Sequence, residues 1–164
     1  CLNNKKFYIM CFQYAYYYSP IGLLEIKSTE EKLLGIQFVD TITDYSKKNC
    51  AIATLCIQQL DLYFHQQLEK FTLPIEYPSD SSNFAINVWN ALLTIPYGTT
   101  YSYKELAEKI GQPSSARAIG NACRKNPFVI VIPCHRVICH NGKLGGYIGG
   151  IEVKKQLVYN EKKG

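Results

Sequence analysis

The chain has 164 residues, 47% apolar and 19% charged, enough for the core of one domain or two small ones and too apolar for intrinsic disorder. No run approaches the roughly 18 uninterrupted apolar residues of a membrane-spanning helix, which excludes a helical membrane protein. The net charge of +5 is unevenly placed: residues 1–82 carry seven lysines and nine acids, whereas residues 83–164 carry eight lysines, all three arginines and four acids, a field suited to phosphate backbones.

At the N-terminal end the tyrosine-rich segment Phe7 to Tyr18 lacks the aliphatic core and small-residue cleavage site of a secretory signal. It reads as a strand, because Ser19-Pro20-Ile21-Gly22 turns the chain after it. Leu24 and Ile26 alternate with Glu25 and Lys27, and Leu34, Ile36 and Phe38 repeat the period of two beyond the turn-like Ser28 to Lys32. These runs predict a three-stranded antiparallel sheet. From Ala51 to Gln67 the period lengthens: Ala53, Ile57, Leu60 and Phe64 fall at i, i+4, i+7 and i+11, the stripe of a helix laid on that sheet. The prolines and short polar residues from Leu73-Pro74 to Ser82 disfavour helix and sheet. They read as an extended linker dividing the chain into residues 1–80 and 81–164.

Past the linker, Phe84, Val88, Trp89 and Leu92 form a helix that ends at Ile95-Pro96-Tyr97-Gly98. Ser102 and Glu105 have the spacing of a capping box, which starts a helix at Tyr103, and Gly111 supplies its left-handed stop. A second helix runs from Ser115 to Lys125, closed by Asn126-Pro127. Two short helices across a short turn make a helix-turn-helix. On the second, Arg117, Asn121 and Arg124 form one polar stripe, with Ile119, Ala122 and Cys123 facing the other way. The small residues Ala116 and Gly120 beside the stripe would let the backbone approach a groove closely; the competing reading is an ordinary solvated helix face. Val129 to Ile132 reads as a buried strand. Val137 to Cys139, Asn141-Gly142 and Leu144 to Tyr147 read as a hairpin on a type I′ turn, the wing after a helix-turn-helix, and a last helix runs from about Glu152 onward. The expected fold class is α/β, a three-stranded sheet with a helix followed by a mostly helical domain.

Seven cysteines, at 1, 11, 50, 56, 123, 134 and 139, form no evenly spaced framework, which points to a reducing, intracellular compartment: cytoplasm in a bacterium or archaeon, nucleus in a eukaryote. Cys134 stands in Pro133-Cys134-His135-Arg136, where proline ends the apolar run. Three readings are open from the residues. Cys134 is a plain buried cysteine; or it gathers zinc with His135, Cys139 and His140, although adjacent ligands would point apart and no C-x-x-C pair is present; or it is a nucleophile tuned by a histidine.

The hexapeptide Ile132-Pro133-Cys134-His135-Arg136-Val137 resembles the active-site signature of the O6-alkylguanine-DNA alkyltransferases, or methylated-DNA–protein-cysteine methyltransferases. Pro96-Tyr97-Gly98 with Tyr101-Ser102-Tyr103, Ala116-Arg117-Ala118-Ile119-Gly120, Asn126-Pro127, Asn141-Gly142, and Tyr147 with Gly149-Gly150 recur in the same order. The likeness covers almost all of the second half, and the first half fits the family's less distinctive N-terminal domain. It implies a ribonuclease H-like N-terminal domain and a winged helix-turn-helix that docks in the minor groove of double-stranded DNA containing alkylated bases. It implies a monomer that needs no cofactor and transfers the alkyl group irreversibly from O6 of guanine, or O4 of thymine, to Cys134. By the same likeness His135 takes the thiol proton, through water, and Glu161 polarises His135. Arg117 fills the gap left by the flipped base, Tyr103 helps rotate the phosphate and protonate the leaving guanine, and Asn126 supports the active-site turn. Val137, Tyr147 and Ile148 join Asn126 around the substrate. Two positions depart from the common pattern, Asn121 where many relatives have a smaller residue and Ile148 where some have a hydroxyl. Cys1, Cys11, Cys50, Cys56 and His65 lack ligand spacing, so no structural zinc is expected. The rival from another class is a winged-helix protein that recognises alkylated bases and recruits partners while Cys134 stays silent.

Overall fold

The computed structural model describes residues 12–43 and 50–163. Three strands, β1 (Gln13–Ser19), β2 (Gly22–Ser28) and β3 (Leu33–Phe38), form an antiparallel meander in chain order. The part of the expected first strand before Phe12 lies outside the described residues. Between β2 and β3, Lys27 pairs with Gly35 and Ser28 with Leu33, so Leu34 is the extra residue of a β-bulge. This is why Leu33 and Ile36 are fully buried and Leu34 only partly, where strict alternation expected Leu34 inward.

Helix α1 (Ala51–Phe64) packs on β1 and β2 and buries Ala53, Cys56, Gln59, Leu60 and Tyr63. The buried stripe runs through Cys56 and Tyr63 where Ile57 and Phe64 were expected, and the Tyr63 hydroxyl is satisfied inside the protein by Glu161 at 2.8 Å. The following segment lies along the free edge of β3, where Leu33 donates to Pro74 O at 2.9 Å and accepts from the Glu76 amide at 2.9 Å. Three residues on, the same edge meets the second half: Ile36 donates to Pro127 O at 2.9 Å and accepts from the Val129 amide at 3.2 Å. The buried side chains of both halves form one hydrophobic cluster.

The second half opens with α2 (Asn83–Leu92), whose first turn is capped by the Ser82 hydroxyl. Trp89 on α2 donates its indole N–H to Ala122 O at 3.0 Å. Ala122 lies on α4 (Ala116–Arg124), which follows α3 (Tyr103–Lys109) across a turn. The Ser102–Glu105 capping box forms in both directions, at 2.6 and 3.1 Å, and Gly111 takes a φ of +71° after α3. The last helix, α5 (Ile151–Lys163), returns to the core through Lys154, Leu157 and Glu161. No helix among the described residues is long and apolar enough to cross a membrane.

Two expectations are corrected. Val129 to Ile132 is a buried tight turn, with Ile132 donating to Phe128 O at 2.9 Å and Ile130 at a φ of 72°. A left-handed β-branched residue persists only where its surroundings enforce it; here the run is buried at every position, so apolar composition marked burial and not a strand. The expected hairpin is also reduced. Val137–Ile138 (β5) pairs in parallel with Tyr101–Ser102 (β4), while Leu144 to Tyr147 adds no strand. What remains is a turn in which Cys139 donates to Lys143 O at 2.8 Å, and Gly142, with its φ of +79°, takes the left-handed position. Asn141 is not left-handed, so the turn is not type I′.

Ser102→Ala removes the accepting half of the capping box at an exposed site, and urea denaturation should show a loss of about 1 kcal/mol. An unchanged midpoint would mean that the Glu105 carboxylate on the Ser102 amide caps α3 alone.

Candidate active site

Cys134 begins a 3₁₀ turn, Cys134–Arg136, immediately after Pro133. Asn126 holds this turn together. Its amide nitrogen donates to Ile132 O at 2.8 Å and to the Cys134 sulfur at 3.2 Å, and its carbonyl accepts from the Phe128 amide at 2.9 Å. Because Cys134 and His135 occupy successive positions of a 3₁₀ turn and not of a strand, they do not simply point to opposite faces.

On one side of the turn is a cleft of about 460 Å³ into which Cys134 opens. Tyr103 and the α4 residues Ala116, Arg117, Gly120, Asn121 and Arg124 line it, together with Tyr147 and Ile148. Arg117, Asn121 and Arg124 are exposed, while Ile119, Ala122 and Cys123 are buried, so the polar stripe does face outward. A Cβ on Gly120 would meet the Tyr103 ring at 3.9 Å, an ordinary contact, so packing within the chain does not require glycine there. Asn126 and Val137 do not line the cleft; both are buried behind it. Cys123 and Cys139, which the sequence reading had not placed around the substrate, do line it, as do Gly145 and Gly146.

On the other side lies a buried polar network centred on Glu161. Its carboxylate accepts five hydrogen bonds: from His135 Nε2 at 2.6 Å, Tyr63 Oη at 2.8 Å, Arg136 Nε at 2.8 Å, Arg136 Nη2 at 3.1 Å and the Gly98 amide at 3.2 Å. Arg136 also donates to Ile95 O at 2.7 Å. Burial alone would raise the Glu161 pKa, but the hydrogen bond and charge of His135 and the guanidinium of Arg136 hold it at about 2. Burial pushes the His135 pKa below its usual 6.5 despite Glu161, so the imidazole is neutral at pH 7 and Arg136 supplies the permanent positive charge. A carboxylate can only accept, so the His135 proton sits on Nε2 and the lone pair on Nδ1. Nδ1 is buried and makes no hydrogen bond among the described residues.

Burial also raises the Cys134 pKa, opposed by the Asn126 hydrogen bond and the nearby Lys154 ammonium. The sulfur therefore rests as a thiol, and a reaction at it requires a base. Lys154 is fully buried and donates to Val137 O at 2.6 Å and Gly146 O at 3.3 Å, tying α5 to the two segments that flank the cleft. Tyr103, raised to about 12 by burial and by the neighbouring cysteine thiols, keeps its proton at neutral pH.

Sequence reading had not selected Arg136, Tyr63, Gly98 or Lys154. A local signal existed for Lys154: Lys154, Leu157 and Glu161 fall at i, i+3 and i+7, so two charges occupy the buried stripe of α5. Tyr63 carried none, because its partner is 98 residues away. Among the described residues no cluster of histidine, cysteine or acidic side chains is placed to hold a metal ion.

Comparison with known proteins gives consistent matches over most of the chain. Residues 12–77 match the family model described as 6-O-methylguanine DNA methyltransferase, ribonuclease-like domain, and residues 83–163 match its DNA binding domain. A methylated-DNA–protein-cysteine methyltransferase of Mycolicibacterium paratuberculosis is 43% identical, over 88% of this chain and 89% of that protein. One of Methanosarcina acetivorans is 38% identical, over 88% and 95%. The crystal structure of Mycobacterium tuberculosis OGT in complex with DNA superposes with a TM-score of 0.83 at 38% identity, covering 92% of each chain.

The geometry fixes how the network responds to acid. The carboxyl of Glu161 has an ordinary pKa of 4.5 and is held at about 2 when folded, so it contributes about 3 kcal/mol that is complete above the ordinary value and is lost as the pH falls toward the folded one. Urea midpoints between about pH 5 and pH 3 should fall steeply in the wild type and less steeply in Glu161→Gln. Equal slopes would assign the acid limb to other carboxylates.

Proposed function

Because the chain belongs to the 6-O-methylguanine DNA methyltransferase family, we propose that it repairs DNA by direct damage reversal, moving an alkyl group from O6 of guanine, or O4 of thymine, to the sulfur of Cys134. The observation that carries this reading is the Cys134 thiol, bonded by Asn126 and opening into the cleft, followed in the same 3₁₀ turn by a neutral histidine whose Nδ1 lone pair meets no partner among the described residues.

The work divides between the halves of the chain. Residues 81–164 provide the cleft and the reacting groups, and residues 1–80 buttress them. One chain supplies every group named, so a monomer suffices. DNA approaches the exposed stripe of α4, where Arg124 and the backbone near Ala116 and Gly120 meet phosphates, which gives binding without sequence preference. O6 is unreachable inside a stacked duplex, so the damaged nucleotide must swing out, at a cost of a few kcal/mol that is smaller for a weakened pair. Arg117, exposed at the rim of the cleft, fills the vacated space in the base stack, as wedging side chains do in a kinked minor groove. Asn121 flanks it, and Tyr103 turns the phosphate that carries the extruded base.

In the cleft Tyr147 and Ile148 contact the base, with Asn126 and Val137 as supports behind. His135 Nδ1 accepts the thiol proton of Cys134 through water, and Glu161 stabilises the resulting imidazolium. The thiolate attacks the alkyl carbon, the S–C bond forms as the C–O bond breaks, and the electron pair leaves with the guanine. Tyr103, still protonated, donates to the departing base. The thioether product has no leaving group that would regenerate the thiol, so each molecule reacts once.

A duplex carrying O6-methylguanine should add one methyl mass, in equal stoichiometry, to the peptide containing Cys134. Cys134→Ala should bind the same duplex and gain nothing. Binding by the wild type with no change of mass would favour a damage-recognition protein in which Cys134 is silent. Arg117→Ala should slow transfer from duplex at least about tenfold more than transfer from free O6-alkylguanine base, since only the duplex pays for extrusion; equal slowing on both would remove Arg117 from that role.

A further inference from the structure

Phe38 of the N-terminal sheet packs against the segment that walls the cleft. Phe38 ends β3, and its ring lies on the segment that carries Tyr147 and Ile148, two residues of the cleft wall. Gly149, next to Ile148, is so close to this ring that a Cβ built there would stand 2.7 Å from Cε2 and 3.0 Å from Cζ of Phe38. Gly149 does not occupy the left-handed region, so its backbone would accept alanine, and the three atoms nearest to such a Cβ all belong to the Phe38 ring. The ring centroid is also 6.3 Å from that of Tyr147, edge to face at 77°, and Tyr147 in turn meets His135 at 6.4 Å and 88°.

We propose that Phe38 is a positioning residue: it is the stop against which the Tyr147–Gly149 wall rests, and so it sets how wide an alkyl group the cleft admits. The proposal rests on the alkyl-transfer reading given above. The backbone supports the same role, since β3 is bolted through Ile36 to Pro127 and Val129. Pro127 adjoins Asn126, which bonds the Cys134 sulfur. One strand therefore braces the turn that holds the nucleophile and, through Phe38, the wall beside it. Packed interiors transmit such displacements because they have little free volume to absorb them.

The test is single-turnover transfer from duplexes carrying O6-methylguanine or O6-benzylguanine, with rates normalised to the thiol that reacts. Phe38→Ala and Phe38→Leu should raise the benzyl-to-methyl rate ratio, by about tenfold or more for alanine and less for leucine, because even one methylene in an apolar pocket is worth about tenfold or more in discrimination. Gly149→Ala should slow methyl transfer about tenfold or more by displacing the wall, and Phe38→Ala placed in the same chain should restore most of the loss. Lost stability alone lowers the reactive fraction and leaves both the ratio and the rescue unmoved. If Phe38→Ala folds poorly, the leucine variant and the Gly149→Ala rescue by Phe38→Leu decide the matter. A ratio within about twofold of wild type, with no rescue of Gly149→Ala, would overturn the proposal. A wild-type chain that transfers neither group would overturn the alkyl-transfer reading and this proposal with it.

Discussion

Everything about the site depends on one buried carboxylate being kept charged. Removing Glu161 from water costs several kcal/mol, and five donors offset that cost. The donors come from α1, the loop after α2 and the 3₁₀ turn, while the carboxylate comes from α5. One anion therefore joins four separated segments. Arg136 is the partner that makes this tenable at neutral pH, because a guanidinium does not titrate in the accessible range. With Arg136 paying the electrostatic debt, His135 is free to remain neutral. Its Nε2 proton is held by Glu161, and its basicity is directed to the other nitrogen.

That arrangement separates two demands that would conflict in one place. The cleft has to be open, small-sided and positively bordered, so that a charged polymer can approach. The base behind it has to be shielded from bulk solvent and fixed in one tautomer. The 3₁₀ turn carries Cys134 at its start and His135 and Arg136 after it, which lets one short segment face both environments. Burial keeps the thiol protonated until a base removes its proton, so the sulfur is guarded from adventitious oxidants that attack thiolates. A protein consumed by its own reaction gains from such restraint, since every stray reaction at Cys134 would remove a whole molecule.

How much of this was legible in the chain varied with the range of the interaction responsible. The Ser102–Glu105 box and the outward stripe of Arg117, Asn121 and Arg124 are set by neighbours within a few positions, and they stood in the sequence as they stand in the fold. Val129 to Ile132 failed because a run that is apolar throughout has no period to distinguish strand from buried turn. The wing failed in part because Asn-Gly favours a tight turn without saying that strands continue beyond it; β5 found its partner in Tyr101–Ser102 instead. In β3 the bulge at Leu34 shifted which side chains point inward, a matter settled by pairing with β2 and invisible in β3 alone.

The amino-acid sequence by itself determined the identity of the thiol segment, the order of the elements, the uneven charge and the motif set that places the chain in its family. Tertiary structure alone decided what surrounds Glu161, which strand braces the cleft and which of the chosen residues line it. The reason is physical. Periodicity, capping and turn chemistry act over one helical turn or one hairpin and leave a local record. The bond from Tyr63 to Glu161 spans 98 residues, and a hydrogen bond between such distant positions leaves no pattern in the neighbours of either.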